Sequence, residues 1–146
     1  METIEAKRIH IRFTRALSSY ENHADAQRRI SRKLASLLPH QADTRYRRVL
    51  EIGCGTGGFT GALKQQCHID EWILNDLCED CQKKIEQLFP GTPPLFIAGD
   101  AETLSFPGKY DLIASASAFQ WMKEPKTFLH KLSGLLVPQG MLLFST

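Results

Sequence analysis

The chain has no long apolar run. Among its longer ones, Leu95-Phe96-Ile97-Ala98 and Met141-Leu142-Leu143-Phe144 are four residues each, against the ~20 that a membrane-crossing helix needs. No membrane span is expected. It has no internal repeat and no low-complexity tract, so neither a solenoid nor a disordered tail is indicated. Cysteine is limited to Cys54, Cys67, Cys78 and Cys81. Cys78-Glu79-Asp80-Cys81 is a lone C-x-x-C; no second pair follows, and the five histidines show no ligand spacing near it. A zinc site needs more ligands than that. A thioredoxin-like motif belongs just after a first strand, whereas this pair opens the helix after the second. No metal and reduced thiols are expected. Met1-Glu2-Thr3-Ile4-Glu5 carries no signal-peptide pattern, and a cytoplasmic location is the expectation.

What is present is ordinary for a globular protein: 146 residues, 42% hydrophobic and 23% charged, enough for one domain with a real core. The net charge of +2 is unevenly placed. Residues 1–48 hold 11 Lys and Arg against 5 Asp and Glu; residues 49–146 hold 7 against 11. The basic part suits an acidic partner, such as an acidic carrier protein or nucleic acid, or is a solvated helix face.

Residues 1–19 read as a basic, weakly patterned arm, and residues 20–146 as one domain. From Tyr20, the residues Ala24, Gln27, Ile30, Leu34, Leu37 and Leu38 recur at helical spacing, with Arg28, Arg29, Arg32 and Lys33 between them. Pro39 stops this helix. Strands are expected at Val49–Ile52, Glu71–Asn75, Leu95–Ala98, Tyr110–Ser115 and Met141–Ser145. Helices are expected at about Gly58–Gln66, Glu79–Phe89 and after Pro125, through Phe128, Leu129, Leu132, Leu135 and Leu136. Gly99–Lys109 reads as a loop and Val137-Pro138-Gln139-Gly140 as a turn. This alternation predicts an α/β fold: a doubly wound, mostly parallel sheet with helices on both faces. A ligand then sits at the carboxyl ends of the strands, where the order reverses.

The stretch Glu51-Ile52-Gly53-Cys54-Gly55-Thr56-Gly57-Gly58 organises the rest. A strand, a glycine turn and a helix N-terminus make a floor for a nucleotide-like ligand. Gly53, Gly55 and Gly58 satisfy G-x-G-x-x-G, the dinucleotide fingerprint. Gly53, Gly55 and Gly57, with Glu51 two residues ahead, satisfy E/D-x-G-x-G-x-G, which resembles motif I of the class I S-adenosylmethionine (SAM) methyltransferases. An acid at the strand's end repels a pyrophosphate but suits a ligand carrying an ammonium and a sulfonium. Asp76, after Asn75 and before Leu77, reads as a ribose ligand, since a carboxylate accepts from both hydroxyls; a helix N-cap is the other reading.

Two further stretches carry the resemblance. Gly99-Asp100-Ala101-Glu102, followed by Leu104-Ser105-Phe106-Pro107 and Tyr110-Asp111-Leu112-Ile113, resembles the D-A-E-x-L-P-F…F-D-L-I run of small-molecule methyltransferases. There the Asp meets the adenine amino group and the next backbone N–H a ring nitrogen. The alternative for Asp100 is a surface turn with an Asx cap. Ala116-Ser117-Ala118-Phe119-Gln120-Trp121 is similar to the Q-W segment of the malonyl-acyl-carrier-protein O-methyltransferases of biotin synthesis, the BioC family. Phe13-Thr14-Arg15-Ala16 and Ser19-Tyr20-Glu21-Asn22-His23-Ala24-Asp25-Ala26-Gln27 are similar to that family's F-x-R-A…S-Y-D-x-x-A-x-x-Q, with Glu21 where Asp is usual. Plain packing is the alternative, with Tyr20 and Trp121 as core aromatics.

The resemblance implies a Rossmann-like fold with the first five of the family's seven strands present. The last two, an antiparallel hairpin, are missing, and the domain is expected to be incomplete at its C-terminus. It implies SAM bound by Glu51, Gly53, Cys54, Gly55, Thr56, Gly57, Asp76, Leu77, Asp100, Ala101 and Ala116. It implies methyl transfer to the free carboxylate of malonyl-acyl-carrier protein. No catalytic base is assigned, since a carboxylate is already a nucleophile; Tyr20 is at most a positioning group. Competing readings are a methyltransferase for another small acceptor such as a quinone precursor, a SAM-binding fragment without turnover, and a dehydrogenase. No nucleic-acid or membrane partner is expected. The open edge of the fifth strand is an expected self-association surface.

Overall fold

A computed structural model describes residues 20–39 and 44–145, with side chains from residue 24 onward. The arm 1–19 and the side chain of Tyr20 lie outside the described residues, as does most of the linker after Pro39. In chain order the elements are α1 (Tyr20–Ser36), β1 (Arg45–Ile52), α2 (Gly58–Gln66), β2 (His68–Asp76), α3 (Cys81–Glu86), β3 (Leu95–Ala98), β4 (Tyr110–Ser115), a 3₁₀ turn (Phe119–Trp121), α4 (Pro125–Ser133) and β5 (Leu136–Phe144). The strands form one sheet in the order β3-β2-β1-β4-β5, every neighbouring pair parallel. Chain order reverses between β1 and β4, which places the crevice at their carboxyl ends.

Both faces of the sheet are covered, as the expected fold requires. Val49, Leu74, Leu112 and Leu143 pack with Leu34 and Ala35 at the end of α1, Leu38 just beyond it, Phe59 and Leu63 of α2 and Ile85 of α3. Leu50, Ile52, Ile73 and Ile113 pack on the other face with Phe128 and Leu132 of α4. Side chains alternate along a strand. Leu50 and Ile52 therefore face α4, and Glu51 falls on the side of α2.

Several boundaries differ from the sequence expectation. β1 begins at Arg45 rather than Val49, because its ladder with β2 continues through Arg45↔His68 and Arg48↔Glu71. Pairs of opposite charge line this extension, Arg45 with Asp70 at 2.7 Å and Arg48 with Glu71 at 2.8 Å. β2 accordingly starts at His68. α3 is shorter than expected, and Leu88 and Phe89 lie in the turns that follow it. Leu37 is exposed; Ala35 takes the core position instead.

The largest correction concerns β5, which runs from Leu136 and contains the expected turn. Its pairing to β4 jumps from Tyr110↔Leu136 to Leu112↔Met141. The extra residues are accommodated by Gln139 at φ +66°. A Cβ on Gly140 would lie 2.8 Å from the Val137 carbonyl oxygen. The turn chemistry is real, but the ladder resumes on both sides of it. Among the described residues, no helix is long and apolar enough to cross a membrane.

Candidate functional site

The glycine turn leaves β1 at Gly53 and enters α2 at Gly58. Gly53, at φ +69°, has no room for a Cβ, which would sit 2.9 Å from the Ala118 Cβ. Gly57, at φ +99°, is tighter: a Cβ would meet Leu88 Cδ1 at 2.4 Å. An L side chain is strained at both φ values; at Gly53 the Ala118 Cβ blocks it, and at Gly57 the Leu88 methyl would have to move. Gly58 differs. It opens the helix, a Cβ there meets nothing within 4 Å, and its φ lies outside the left-handed region. The third glycine that the backbone demands is therefore Gly57. Of the two patterns that overlap here, the geometry matches the one led by Glu51.

Glu51 is buried, 1% exposed. The Thr60 hydroxyl, on the facing side of α2, donates to Glu51 Oε1 at 2.6 Å. Burial pushes the Glu51 carboxyl up to about 8; the Thr60 bond opposes this, and the nearby charge of Asp76 adds to it. A carboxyl held in that range is responsive to a cation. A positive charge placed near it favours its ionised form.

Asp76, at the end of β2, spans the next step of the rim. Its Oδ2 accepts the Gly55 N–H at 2.8 Å, and its Oδ1 accepts the Cys78 N–H at 2.9 Å. It is not the N-cap of α3; Asp80 holds that position, without a side-chain cap bond. Asn75, one residue earlier, is buried and ties three segments together. Its carbonyl accepts the Cys54 N–H at 2.9 Å, and its Nδ2 donates to the carbonyls of Ile97 and Gly99 at 3.0 and 3.1 Å.

Asp100 and Ala101 follow directly. Asp100 is exposed, and its Oδ1 accepts the Glu102 N–H at 2.9 Å, an Asx turn. That turn is the one the alternative reading of Asp100 expected, and it leaves the residue exposed. Ala101 is buried. The segment is held from α4, in a way that sequence reasoning missed. Lys131 Nζ donates to the carbonyls of Ala101 at 2.8 Å, Glu102 at 3.2 Å, and Leu104. Glu102 in turn accepts the N–H groups of Lys123 at 2.9 Å and Glu124 at 3.0 Å. A lysine between the core residues Phe128 and Leu132 was the available signal.

The remaining expected residues fall into place unevenly. The Cys54 side chain points into the core, where burial and the charges of Glu51 and Asp76 push its thiol up, so only its backbone belongs to the turn. Thr56 and Leu77 are exposed, and Ala116 is half-buried beyond β4. Phe119, not Trp121, is the core aromatic of the Phe-Gln-Trp step. It stacks on Phe144 at 4.3 Å, whereas Trp121 is exposed. Glu51, Gly53, Gly55 and Asp76 are thus brought together at the carboxyl ends of β1 and β2. A groove of ≈ 550 Å³ lies elsewhere, beside the amino half of β2, lined by Trp72, Phe89, Pro93 and Pro94 among others. Among the described residues, no group of three or more His, Cys, Asp or Glu is placed to hold a metal ion.

Comparison with known proteins gives a consistent result. Residues 50–144 match the family described as "Methyltransferase domain". The chain is 43% identical over 146 residues, all of its length and 56% of the relative's, to a malonyl-[acyl-carrier protein] O-methyltransferase of Porphyromonas gingivalis. It is 40% identical over 135 residues, 92% of its length and 52% of the relative's, to the protein of the same description in Bacteroides thetaiotaomicron. The chain therefore spans about half the length of these curated relatives. In fold it is similar to the N-methyltransferase NodS of Bradyrhizobium japonicum, solved in complex with S-adenosyl-L-homocysteine. The TM-score is 0.64 at 21% identity, covering 84% of this chain and 60% of that one.

Proposed function

The chain belongs to the methyltransferase-domain family, and from that membership we propose that it is the SAM-binding part of an O-methyltransferase acting on the free carboxylate of malonyl-acyl-carrier protein in biotin synthesis. The observation that carries the donor half of this reading is the pair of carboxylates flanking the glycine turn. Glu51 lies behind it and Asp76 holds Gly55 from the side. Asp76 repels a diphosphate, and the Glu51 carboxyl, raised to about 8 by burial, is drawn into its ionised form by a donor bearing an ammonium and a sulfonium. The acceptor half rests on the relatives named above and on the Phe119-Gln120-Trp121 step.

On this reading Asp76 receives the ribose hydroxyls, and Asp100 with the Ala101 N–H receives the adenine edge. Gly53, Cys54, Gly55, Thr56 and Gly57 present backbone to the amino-acid portion, with Leu77 and Ala116 along the walls. The donor, when bound, supplies a methyl group on a positively charged sulfur. The protein's part is to align that methyl with the acceptor carboxylate and to exclude water from it. A carboxylate nucleophile needs no general base, and none is assigned.

The partner on this reading is an acidic carrier protein. Arg28, Arg29, Arg32 and Lys33 are exposed along α1 and suit it. β5 ends the sheet with Met141 and Phe144 exposed, which supports pairing with a second copy. Sedimentation at rising concentration tests that, and a monomer throughout rejects it. A cytoplasmic location belongs to the same proposal.

The central test is calorimetric titration with S-adenosylhomocysteine, followed by transfer of labelled methyl from SAM to malonyl-acyl-carrier protein. The assay is run on this chain and on one extended to the relatives' length. Binding with transfer to the malonyl carrier is expected. Binding with transfer only to a quinone precursor overturns the acceptor, and nicotinamide-dinucleotide binding in place of SAM overturns the donor.

A further inference from the structure

The C-x-x-C pair is unused by the chemistry above, yet it lies against the rim. Cys78 and Cys81 are both free thiols; Cys78 is exposed and Cys81 partly so. The Cys81 N–H donates to the Cys78 carbonyl at 3.2 Å, which closes a four-residue turn. The two Cα atoms of such a turn lie within about 7 Å, close to the span that a disulfide bridges. Both cysteines also address the same oxygen. The Cys78 N–H donates to Asp76 Oδ1 at 2.9 Å, and Cys81 Sγ lies 4.0 Å from that atom. The other oxygen of Asp76 holds Gly55.

We propose that Cys78 and Cys81 form a reversible disulfide by exchange with small-molecule disulfides, and that closing it weakens nucleotide binding at Asp76. The second clause rests on the SAM reading of Asp76; the first does not.

The exposed Cys78 reacts first. Its sulfur attacks one sulfur of R–S–S–R, a Cys78–S–R bond forms, and one R–S⁻ leaves and takes up the proton that Cys78 gave. Cys81 Sγ then attacks the Cys78 sulfur, and the second R–S⁻ leaves with the proton from Cys81. Two protein thiols are oxidised and one small disulfide is reduced to two thiols. Burial and the charge of Asp76 push the Cys81 thiol up to about 11. The Cys81 thiolate is the attacking species, so ring closure quickens as pH rises. The closed ring has no Cys81 S–H to offer Asp76, and it resets the turn that presents the Cys78 N–H. Because Asp76 also grips Gly55, a shift of its carboxylate reaches the glycine turn. Coupling of this kind is reciprocal, so bound nucleotide shifts the equilibrium toward the open dithiol.

The experiment equilibrates the whole reduced chain with oxidised glutathione, traps free thiols with an alkylating agent and maps the peptides. Loss of two hydrogens, located to the peptide joining Cys78 and Cys81 and restored by dithiothreitol, is expected. Cys81→Ser should stop at a glutathione adduct on Cys78. A persistent adduct on Cys78 in the parent chain, or no change in that peptide, overturns the exchange. S-adenosylhomocysteine is then titrated into the reduced and oxidised forms, and affinity about fivefold or more lower in the oxidised form is expected. Equal affinities overturn the coupling. Absence of binding to the reduced form, with the ring still mapped, defeats the SAM reading and the coupling with it, and leaves the exchange chemistry standing.

Discussion

Thr60 donates its hydroxyl to Glu51 across the junction of α2 and β1, at 2.6 Å and with both groups buried. The bond satisfies a carboxyl that the strand's alternation turns away from water. Removing the donor in Thr60→Val leaves that carboxyl without its partner. A loss of about 1–3 kcal/mol in folding stability is expected, read as a lower urea midpoint. An unchanged midpoint would mean that the bond contributes nothing.

Glu51 also sets a dependence on pH. In the folded chain its carboxyl keeps a proton up to about pH 8, while the ordinary value is 4.5. Between those values the folded state binds more protons than the unfolded one. Stability therefore falls as pH rises through that window and levels off above it. Glu51→Gln keeps an oxygen for Thr60 and removes the titration. Its stability profile between pH 5 and 8 should be flatter, by on the order of a few kcal/mol across the window. Parallel profiles for the two proteins would contradict this account.

Asp76 accepts from both the glycine turn and the start of the next loop. Asp76→Ala should lower affinity for S-adenosylhomocysteine by about tenfold or more, ~1.4 kcal/mol, in calorimetric titration. Asp100→Ala should weaken it too. Retention of full affinity by both variants would remove these residues from the donor site.

Lys131 holds the carbonyls of Ala101, Glu102 and Leu104 from the far helix. Lys131→Met keeps the aliphatic stem and removes the donors. Backbone amides in residues 101–104 should then exchange with deuterium at least several-fold faster. Exchange as slow as in the parent would show that the segment holds its shape unaided.

If the proposed partner is an acidic carrier protein, its binding should depend on salt through the exposed basic residues of α1. Affinity is expected to drop by about an order of magnitude between low and physiological ionic strength. Affinity that does not vary with salt would rule out the electrostatic contact.

The sheet and its order of elements were legible because each strand carries a short apolar core and most breaks have a glycine or proline. The amino half of β1 was not. Arg45, Arg47 and Arg48 hide a strand from any reading by apolar pattern, and only their partners on β2 and β4 reveal it. Val137 to Gly140 was read as a turn from sound local chemistry; that Leu136 already pairs with Tyr110 is a non-local fact. At the site, the acid ahead of the glycines was visible, but its partner Thr60 was not. The preference for Gly57 over Gly58 was legible through Glu51; the φ of +99° that demands glycine at Gly57 was not. Lys131 gave a signal by its place between Phe128 and Leu132, but its partners did not show in the sequence. Its role depends on which loop the sheet brings over α4.

Asn75 joins the ends of β1 and β3 through one backbone carbonyl and one side-chain amide. The crevice therefore sets with the sheet and is pre-organised before any small molecule arrives. Little conformational entropy remains to be lost on binding, so occupancy should leave the backbone of this rim where it already stands.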